Sequence, residues 1–278
     1  MKKLLYLILF SSLAFAKTHI IVSILPQKIF VEKIGGDKVD TSIMVEAGSS
    51  PHNYSPKPSQ MRSVSRADIY FTIGVEFEEI WLTKFTNQNR NLTLIDSTEG
   101  IEKDKTTSHH KEHQHDELDP HIWVNPLNVK VIAQNITNAL ITKDSNNSNY
   151  YKNNLKTFLT ELDDLDLEIK KILKKTAKNS AFMVFHPSWG YFAKQYNLRQ
   201  IAVEVEGKEP KMRALVKLIK EAKKEKIRAI FTQPEFSDKS AQILAKNLNI
   251  KVVKASPLAE NWAENLINLA KVIAGKEL

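Results

Sequence analysis

The sequence predicts an α/β protein of two lobes, each with a mainly parallel sheet wrapped by helices, joined by a long rigid helix. Three observations carry this. From 179 to 278, short β-branched runs alternate with amphipathic helical stretches, the pattern of strands joined by crossover helices. The first half holds a looser version of the same alternation. Between them Leu155, Phe158, Leu159, Leu162, Leu165, Ile169, Ile172 and Leu173 recur at three- and four-residue steps. Nothing interrupts this stripe between Asn149 and Lys178, and roughly 30 helical residues extend about 45 Å, more than one small domain needs. It reads as a strut between lobes.

The elements follow in order. Met1-Lys2-Lys3, the apolar run Leu4 to Leu13 and Ala14-Phe15-Ala16 form a secretory signal, with cleavage expected after Ala16. The run is short of the ~20 residues that span a bilayer, and no Cys stands at the cleavage point, so no lipid anchor is expected. The predicted lobes then cover 17–146, with a His-rich loop at 104–118, and 179–278, with the linking helix at 147–178. In the first lobe His19 to Ile24 reads as a strand, and Pro26 opens a helix ending at Gly35-Gly36. Thr41 to Val45 is the next strand, Pro58-Ser59 opens a second helix, and Asp68 to Ile73 and Leu92 to Ile95 are strands. Asn125-Pro126 starts a helix to about Ile141. In the second lobe strands are expected at Ala181–Phe185, Arg199–Val203, Ile227–Thr232 and Ile250–Lys254. Helices are expected at Pro187–Tyr196, Pro210–Lys226, Asp238–Asn247 and Glu260–Ala274.

Composition narrows the function. The chain of 278 residues has no cysteine, so an exported form has no disulfides and any zinc site must use nitrogen and oxygen. The net charge of +8 becomes +6 once Lys2 and Lys3 leave with the signal. Acids interrupt the lysines, as in Lys220-Glu221-Ala222-Lys223-Lys224-Glu225-Lys226, which is a solvated helix face rather than a nucleic-acid surface.

The histidines are more telling. His52, His121 and His186 stand at nearly even intervals, each beside a proline. Imidazole is neutral at physiological pH and is the commonest zinc ligand. A tract with His109, His110, His113 and His115 lies just ahead of His121, in a segment too polar to pack. His186 directly follows a predicted strand, where α/β sheets bind ligands. His19 has no motif around it and reads as structural. Trp81, Trp123, Trp189 and Trp262 read as packing anchors.

Three stretches resemble one family. Pro51-His52-Asn53-Tyr54-Ser55-Pro56-Lys57-Pro58-Ser59-Gln60, Asp119-Pro120-His121-Ile122-Trp123-Val124-Asn125-Pro126, and His186 to Leu198 with Gly190-Tyr191-Phe192-Ala193 are similar to the signatures of metal-binding solute receptors of ABC importers. The His-rich tract before the second signature matches the zinc-specific, ZnuA-like branch. The resemblance implies two α/β lobes on one long helix, metal ligation by His52, His121 and His186, and zinc as cargo. It further implies a periplasmic monomer that meets an inner-membrane permease transiently, without nucleic acid or stable membrane insertion. His109, His110, His113 and His115 become auxiliary metal candidates. Manganese receptors of the family carry a carboxylate at the third position, where this chain has His186, and manganese prefers oxygen. The family's Asp before a Pro-Leu pair is missing from Lys254-Ala255-Ser256-Pro257-Leu258, and Pro51 stands where some zinc members have Glu. Water, a loop histidine or Glu235 is left for the fourth position.

Other classes weigh less. Alternatives are a manganese or iron receptor of the same fold, a zinc-dependent hydrolase and a metal-binding adhesin. A catalytic zinc needs a base beside its water, and the chain has no His-Glu-x-x-His helix or Gly-x-Ser-x-Gly elbow. Finally, Asp144-Ser145-Asn146-Asn147-Ser148 resembles the extended acceptor of bacterial N-glycosylation, which makes Asn146 a glycan candidate. Its other reading is a loop that caps the long helix.

Overall fold

The structure is a computed structural model and describes residues 17–105, 118–204 and 208–277. The signal segment 1–16 and the tract with His109, His110, His113 and His115 lie outside the described residues. Strands β1 (Thr18–Val22), β2 (Val39–Ile43), β3 (Ile69–Thr72) and β4 (Thr93–Asp96) form one sheet in the order β2-β1-β3-β4. Strands β5 (Ala181–Val184), β6 (Arg199–Ala202), β7 (Ala229–Thr232) and β8 (Lys251–Lys254) form a second in the order β6-β5-β7-β8. All neighbours run parallel. Each lobe therefore has the same winding, with its order reversing beside its first strand, which opens a crevice at the carboxyl ends.

Helices α1 (Leu25–Gly35), α2 (Pro58–Val64), α3 (Glu76–Gln88) and α4 (Pro126–Lys143) belong to the first lobe. Pro26 and Pro58 stand in the first turns of α1 and α2, where a missing N–H costs nothing. After α1 the chain reverses at Gly36 (φ 52°), a left-handed conformation that glycine adopts freely. The sequence reading passes from β3 to β4 without α3. Only Phe77, Glu78 and Phe85 of this helix are buried, so its apolar stripe is too thin to read, while Glu76, Glu78 and Glu79 mark its first turn.

The strut is α5 (Ser148–Leu173), whose 26 residues extend about 39 Å at 1.5 Å each. It buries Leu155, Phe158, Leu162, Leu165, Ile169, Ile172 and Leu173, most of the predicted stripe. It stops at Leu173, five residues before the predicted end at Lys178, because the stripe is exhausted there. A turn from Thr176 N–H to Leu173 O follows, and Asn179 (φ 61°) redirects the chain into β5. Just before α5, Asp144 accepts hydrogen bonds from Asn147 Nδ2 and Tyr151 Oη, and Asn146 is exposed.

Helices α6 (Gly190–Gln195), α7 (Met212–Lys224), α8 (Lys239–Leu248) and α9 (Trp262–Ile273) complete the second lobe. α6 begins later than predicted, since Pro187-Ser188-Trp189 forms the turn below His186. The core is not divided between the lobes. One apolar cluster runs from β1 and α1 through α5 to α9 and the inner face of β5. Phe30 of α1 meets Phe158 of α5 at 5.9 Å and Trp262 of α9 edge-on at 5.1 Å. Met183 and Phe185 face a smaller outer cluster with Leu215, Ile230 and Leu244, so alternate residues of this sheet serve two cores.

Candidate metal centre

Each histidine is delivered by a different local device. The loop after β2 carries His52 and is organised by Gln60 in α2. Gln60 Oε1 accepts from Lys57 N–H (2.8 Å) and Tyr54 Oη (2.9 Å), while its amide nitrogen reaches the carbonyls of Ile43 and Met44. That network is the physical content of the Tyr-x-Pro-x-Pro-Ser-Gln stretch. His121 precedes a short 3-10 turn, Ile122–Val124, whose Trp123 is fully buried. Trp123 Nε1 donates to Pro257 O (2.8 Å) and Trp262 Nε1 to Trp123 O (3.0 Å), so the turn is tied to the second lobe. His186 follows β5. Gln233, just beyond β7, donates to His186 O (3.0 Å) and to Ser188 Oγ (2.9 Å), and Phe236 stacks on the imidazole at 4.8 Å.

The structure brings the three sequence-predicted histidines together in the cleft. One ring nitrogen from each lies within 4.8 Å of the others, and His52 Nε2 is 3.2 Å from His186 Nε2. Tetrahedral zinc with bonds of about 2.0–2.1 Å spaces its nitrogens about 3.3 Å apart. The rings line a pocket of about 20 Å³ together with Pro51, Trp123, Phe236 and Leu258. A single water-sized sphere takes about 10–15 Å³, so the pocket admits one ion and little else.

The electrostatics around the rings are equally specific. His52 Nδ1 is 2.8 Å from Glu76 Oε1, His121 Nδ1 is 2.7 Å from Asp119 Oδ1, and His186 Nδ1 is 2.9 Å from Glu204 Oε1. A carboxylate accepts a hydrogen bond, so each Nδ1 carries the proton and each Nε2 presents a lone pair. Burial, opposed by the Glu204 hydrogen bond and aided by the two other imidazoles, holds His186 below the ordinary histidine range, which keeps it neutral. Burial pushes Glu76 up, but the hydrogen bond from His52 and its imidazole neighbours more than offset it and hold this carboxyl low.

Sequence reasoning missed these carboxylates as functional groups. Asp119 left a signal in its spacing two residues before His121. Glu204 stands just past β6, the strand beside β5, and Glu76 starts the helix that was not predicted. Glu235 lines the pocket, but its carboxyl accepts from Ser256 Oγ (3.1 Å) and burial raises its pKa. No carboxylate among the described residues joins the three imidazoles within 4.8 Å. His19 pairs with Asp40 across β1 and β2 at 3.2 Å, far from the cleft. A cavity of about 540 Å³ lies at the opposite, amino end of the second sheet. Its Lys171, Lys174, Lys226 and Lys276 stand at the ends of α5, α7 and α9, where cations offset the helix dipoles.

Fold and site together define the class of two-lobed solute receptors with a cleft-bound imidazole centre. The chain belongs to the family described as ZnuA, zinc-uptake complex component A, periplasmic, which matches residues 20–274. It is a family of substrate-binding transport proteins. The chain is 29% identical over 248 residues to the high-affinity zinc uptake system protein ZnuA of Bacillus subtilis (strain 168), covering 84% of this chain and 76% of that one. It is 28% identical to the manganese ABC transporter substrate-binding lipoprotein PsaA of Streptococcus anginosus, covering 80% and 74%. Among solved structures, a crystal structure of ZnuA superposes with a TM-score of 0.87 at 41% identity, covering 94% of this chain and 99% of that one. A zinc-bound ZnuA deletion mutant gives 0.85 at 41% identity, covering 93% and 97%.

Proposed function

We propose that this chain is an exported receptor that captures Zn²⁺ on His52, His121 and His186 and hands it to an ABC-type permease. The observation that carries the reading is the pair of Nε2 atoms 3.2 Å apart, each on a ring whose Nδ1 faces a carboxylate. Two lone pairs at that distance repel, and a cation between them turns the repulsion into ligation. Three neutral imidazoles suit zinc, whereas manganese prefers oxygen. A water completes the tetrahedron, since the nearest pocket carboxyl, Glu235, is engaged by Ser256.

The same features favour carriage over catalysis. A hydrolytic zinc needs a general base next to its water and room for a substrate. The three carboxylates here sit behind the imidazoles on their Nδ1 edges, and the pocket holds about one ion. The receptor acts in the periplasm as a monomer and meets its permease transiently. No described helix is long and apolar enough to cross a membrane. Metal analysis of the purified protein, with zinc and manganese in competition, tests the reading. One tightly held zinc per chain is expected, not displaced by excess manganese. Preferential manganese retention would replace it with the manganese receptor, and histidine-dependent hydrolysis with an enzyme.

A further inference from the structure

Between β4 and α4, residues 104–105 and 118–119 meet at a narrow neck. Lys105 and Leu118 form an isolated antiparallel bridge, and Asp119 N–H donates to Asp104 O at 2.8 Å. In a regular antiparallel pair Asp104 N–H would return a bond to Asp119 O. Here a hydroxyl from the other lobe is inserted instead. Asp104 N–H donates to Tyr191 Oη (2.8 Å), and Tyr191 Oη donates to Asp119 O (3.0 Å). Tyr191 is 4% exposed, so no water replaces it without opening the interface. Lys194, one helical turn further along α6, clamps the Asp104 carboxylate at 2.6 and 2.8 Å.

We infer that Tyr191 is a positioning residue that sets His121 against His186 by completing the backbone pair at this neck. The inference rests on the receptor reading above for its consequence, not for its geometry. Asp119 is held twice by the start of α6. Its carbonyl takes the Tyr191 proton, and its carboxylate packs against Gly190, where a Cβ would lie 2.8 Å from Asp119 Oδ2. The other carboxylate oxygen accepts both His121 N–H (3.0 Å) and His121 Nδ1–H (2.7 Å). His186 stands four residues before Gly190 in the same segment. One short stretch of the second lobe thus carries one ligand and grips the partner of another. The hydroxyl couples the two lobes at the site itself, and it also ties the neck of the His-rich segment to His121.

The test compares Tyr191→Phe, Gly190→Ala and, as a control, Tyr196→Phe. Tyr196 is a second buried tyrosine on the same segment whose hydroxyl meets Asp166 (3.1 Å), away from the cleft. In metal-free protein the His121 ring N–H should be protected from exchange in the parent and in Tyr196→Phe. It should exchange at least ten times faster in Tyr191→Phe and Gly190→Ala. Zinc release into excess chelator should accelerate about 5- to 10-fold in the same two variants and less than 2-fold in Tyr196→Phe. Replacing residues 107–116 by Asn-Gly supplies a tight turn that holds the neck without help. In that background Tyr191→Phe should change both readouts less than 2-fold. Parent-like protection of His121 in Tyr191→Phe, an equal effect in Tyr196→Phe, or an undiminished effect in the shortened background would overturn the inference. The exchange measurement uses no metal, so it decides the matter even if the parent proves not to bind zinc.

Discussion

Glu204 offers the sharpest separation between holding the fold and holding the metal. Its Oε1 accepts from His186 Nδ1 at 2.9 Å, with the two side chains 6% and 13% exposed, while its Oε2 is buried without a hydrogen-bond partner among the described residues. In the metal-free fold the cost of desolvating this carboxylate opposes the gain from its bond to His186 Nδ1–H, so its net contribution to folding is small. With metal bound, it fixes the ring and raises the basicity of Nε2. Charge-assisted hydrogen bonds are worth about 1.5–3 kcal/mol, and loss of such outer-shell partners weakens metal affinity about 10- to 100-fold. Glu204→Ala should therefore weaken zinc binding by about that factor. Glu204→Gln keeps an oxygen acceptor and gives up the charge, so it should fall between parent and Ala, at roughly 5- to 10-fold. Competition against a zinc-selective fluorescent chelator at fixed pH reads the affinities, and metal-free thermal unfolding reads the fold. The metal-free midpoint of both variants should fall far less than zinc affinity does. A metal-free midpoint that dropped in step with affinity would mean that Glu204 is a structural group, and the reasoning would fail.

Single replacement of His52, His121 or His186 by Ala should abolish tight zinc binding while far-ultraviolet circular dichroism stays unchanged; parent-like affinity in His186→Ala would remove it from the ligand set. Deleting residues 106–117, and with them His109, His110, His113 and His115, should eliminate a weak binding event in a calorimetric titration and retain the tight one. Loss of both would make a histidine of that segment the fourth ligand. Glu78 is buried, takes Ile73 N–H (3.0 Å), Gly74 N–H (2.9 Å) and the Ser23 hydroxyl, and burial lifts its pKa to about 7. Its folded pKa lies above the unfolded value, so the stability it confers when protonated is complete below pH ~4.5 and is lost as pH rises to about 7. The loss is roughly 3 kcal/mol at ~1.36 kcal/mol per pKa unit. Urea midpoints across pH 4–8 should lose that slope in Glu78→Gln, and an unaltered slope would assign it to other groups.

The three clustered histidines are legible because each sits in a local motif, whereas their carboxylate partners are products of the fold. Apolar alternation gave the second lobe nearly in full, since a parallel sheet buried on both faces leaves continuous β-branched runs. The α5 stripe was legible for the same reason, and only its end was misplaced, where Lys174 and Lys175 continue the helical composition without an apolar face. Helix α3 was illegible because it buries little, and with it went Glu76. Glu204 is adjacent to His186 only because β6 pairs with β5, a fact of register that no spacing in the sequence encodes. Tyr191 stands inside the third motif with no role visible from its neighbours, since its two partners lie 87 and 72 residues away.

A receptor must hold its cargo firmly and still let it go, and the packing constrains how. Domain opening as in a hinged clamp would have to part an apolar cluster that runs continuously from α1 through α5 to α9. It would also break the Trp123–Pro257 and Trp262–Trp123 bonds, which lie close to the metal pocket. Exposing large buried side chains costs about 1.5–3 kcal/mol each, so wide opening is disfavoured by many such terms. The three imidazoles sit in different surroundings. His121 is buried beneath Trp123, and His186 is pinned between Gln233, Phe236 and Glu204. His52 sits on the loop between β2 and α2, half-buried, with its Nδ1 on Glu76 at 2.8 Å and its backbone N–H on Ser50 Oγ at 3.3 Å. Loops are the low-stability end of a fold. Withdrawal of His52 would leave two imidazoles and an open face toward solvent without parting the shared core. Release at the loop-borne His52 would therefore disturb the shared core least, and faster zinc release on loosening this loop by Gln60→Ala than on Tyr196→Phe would test it.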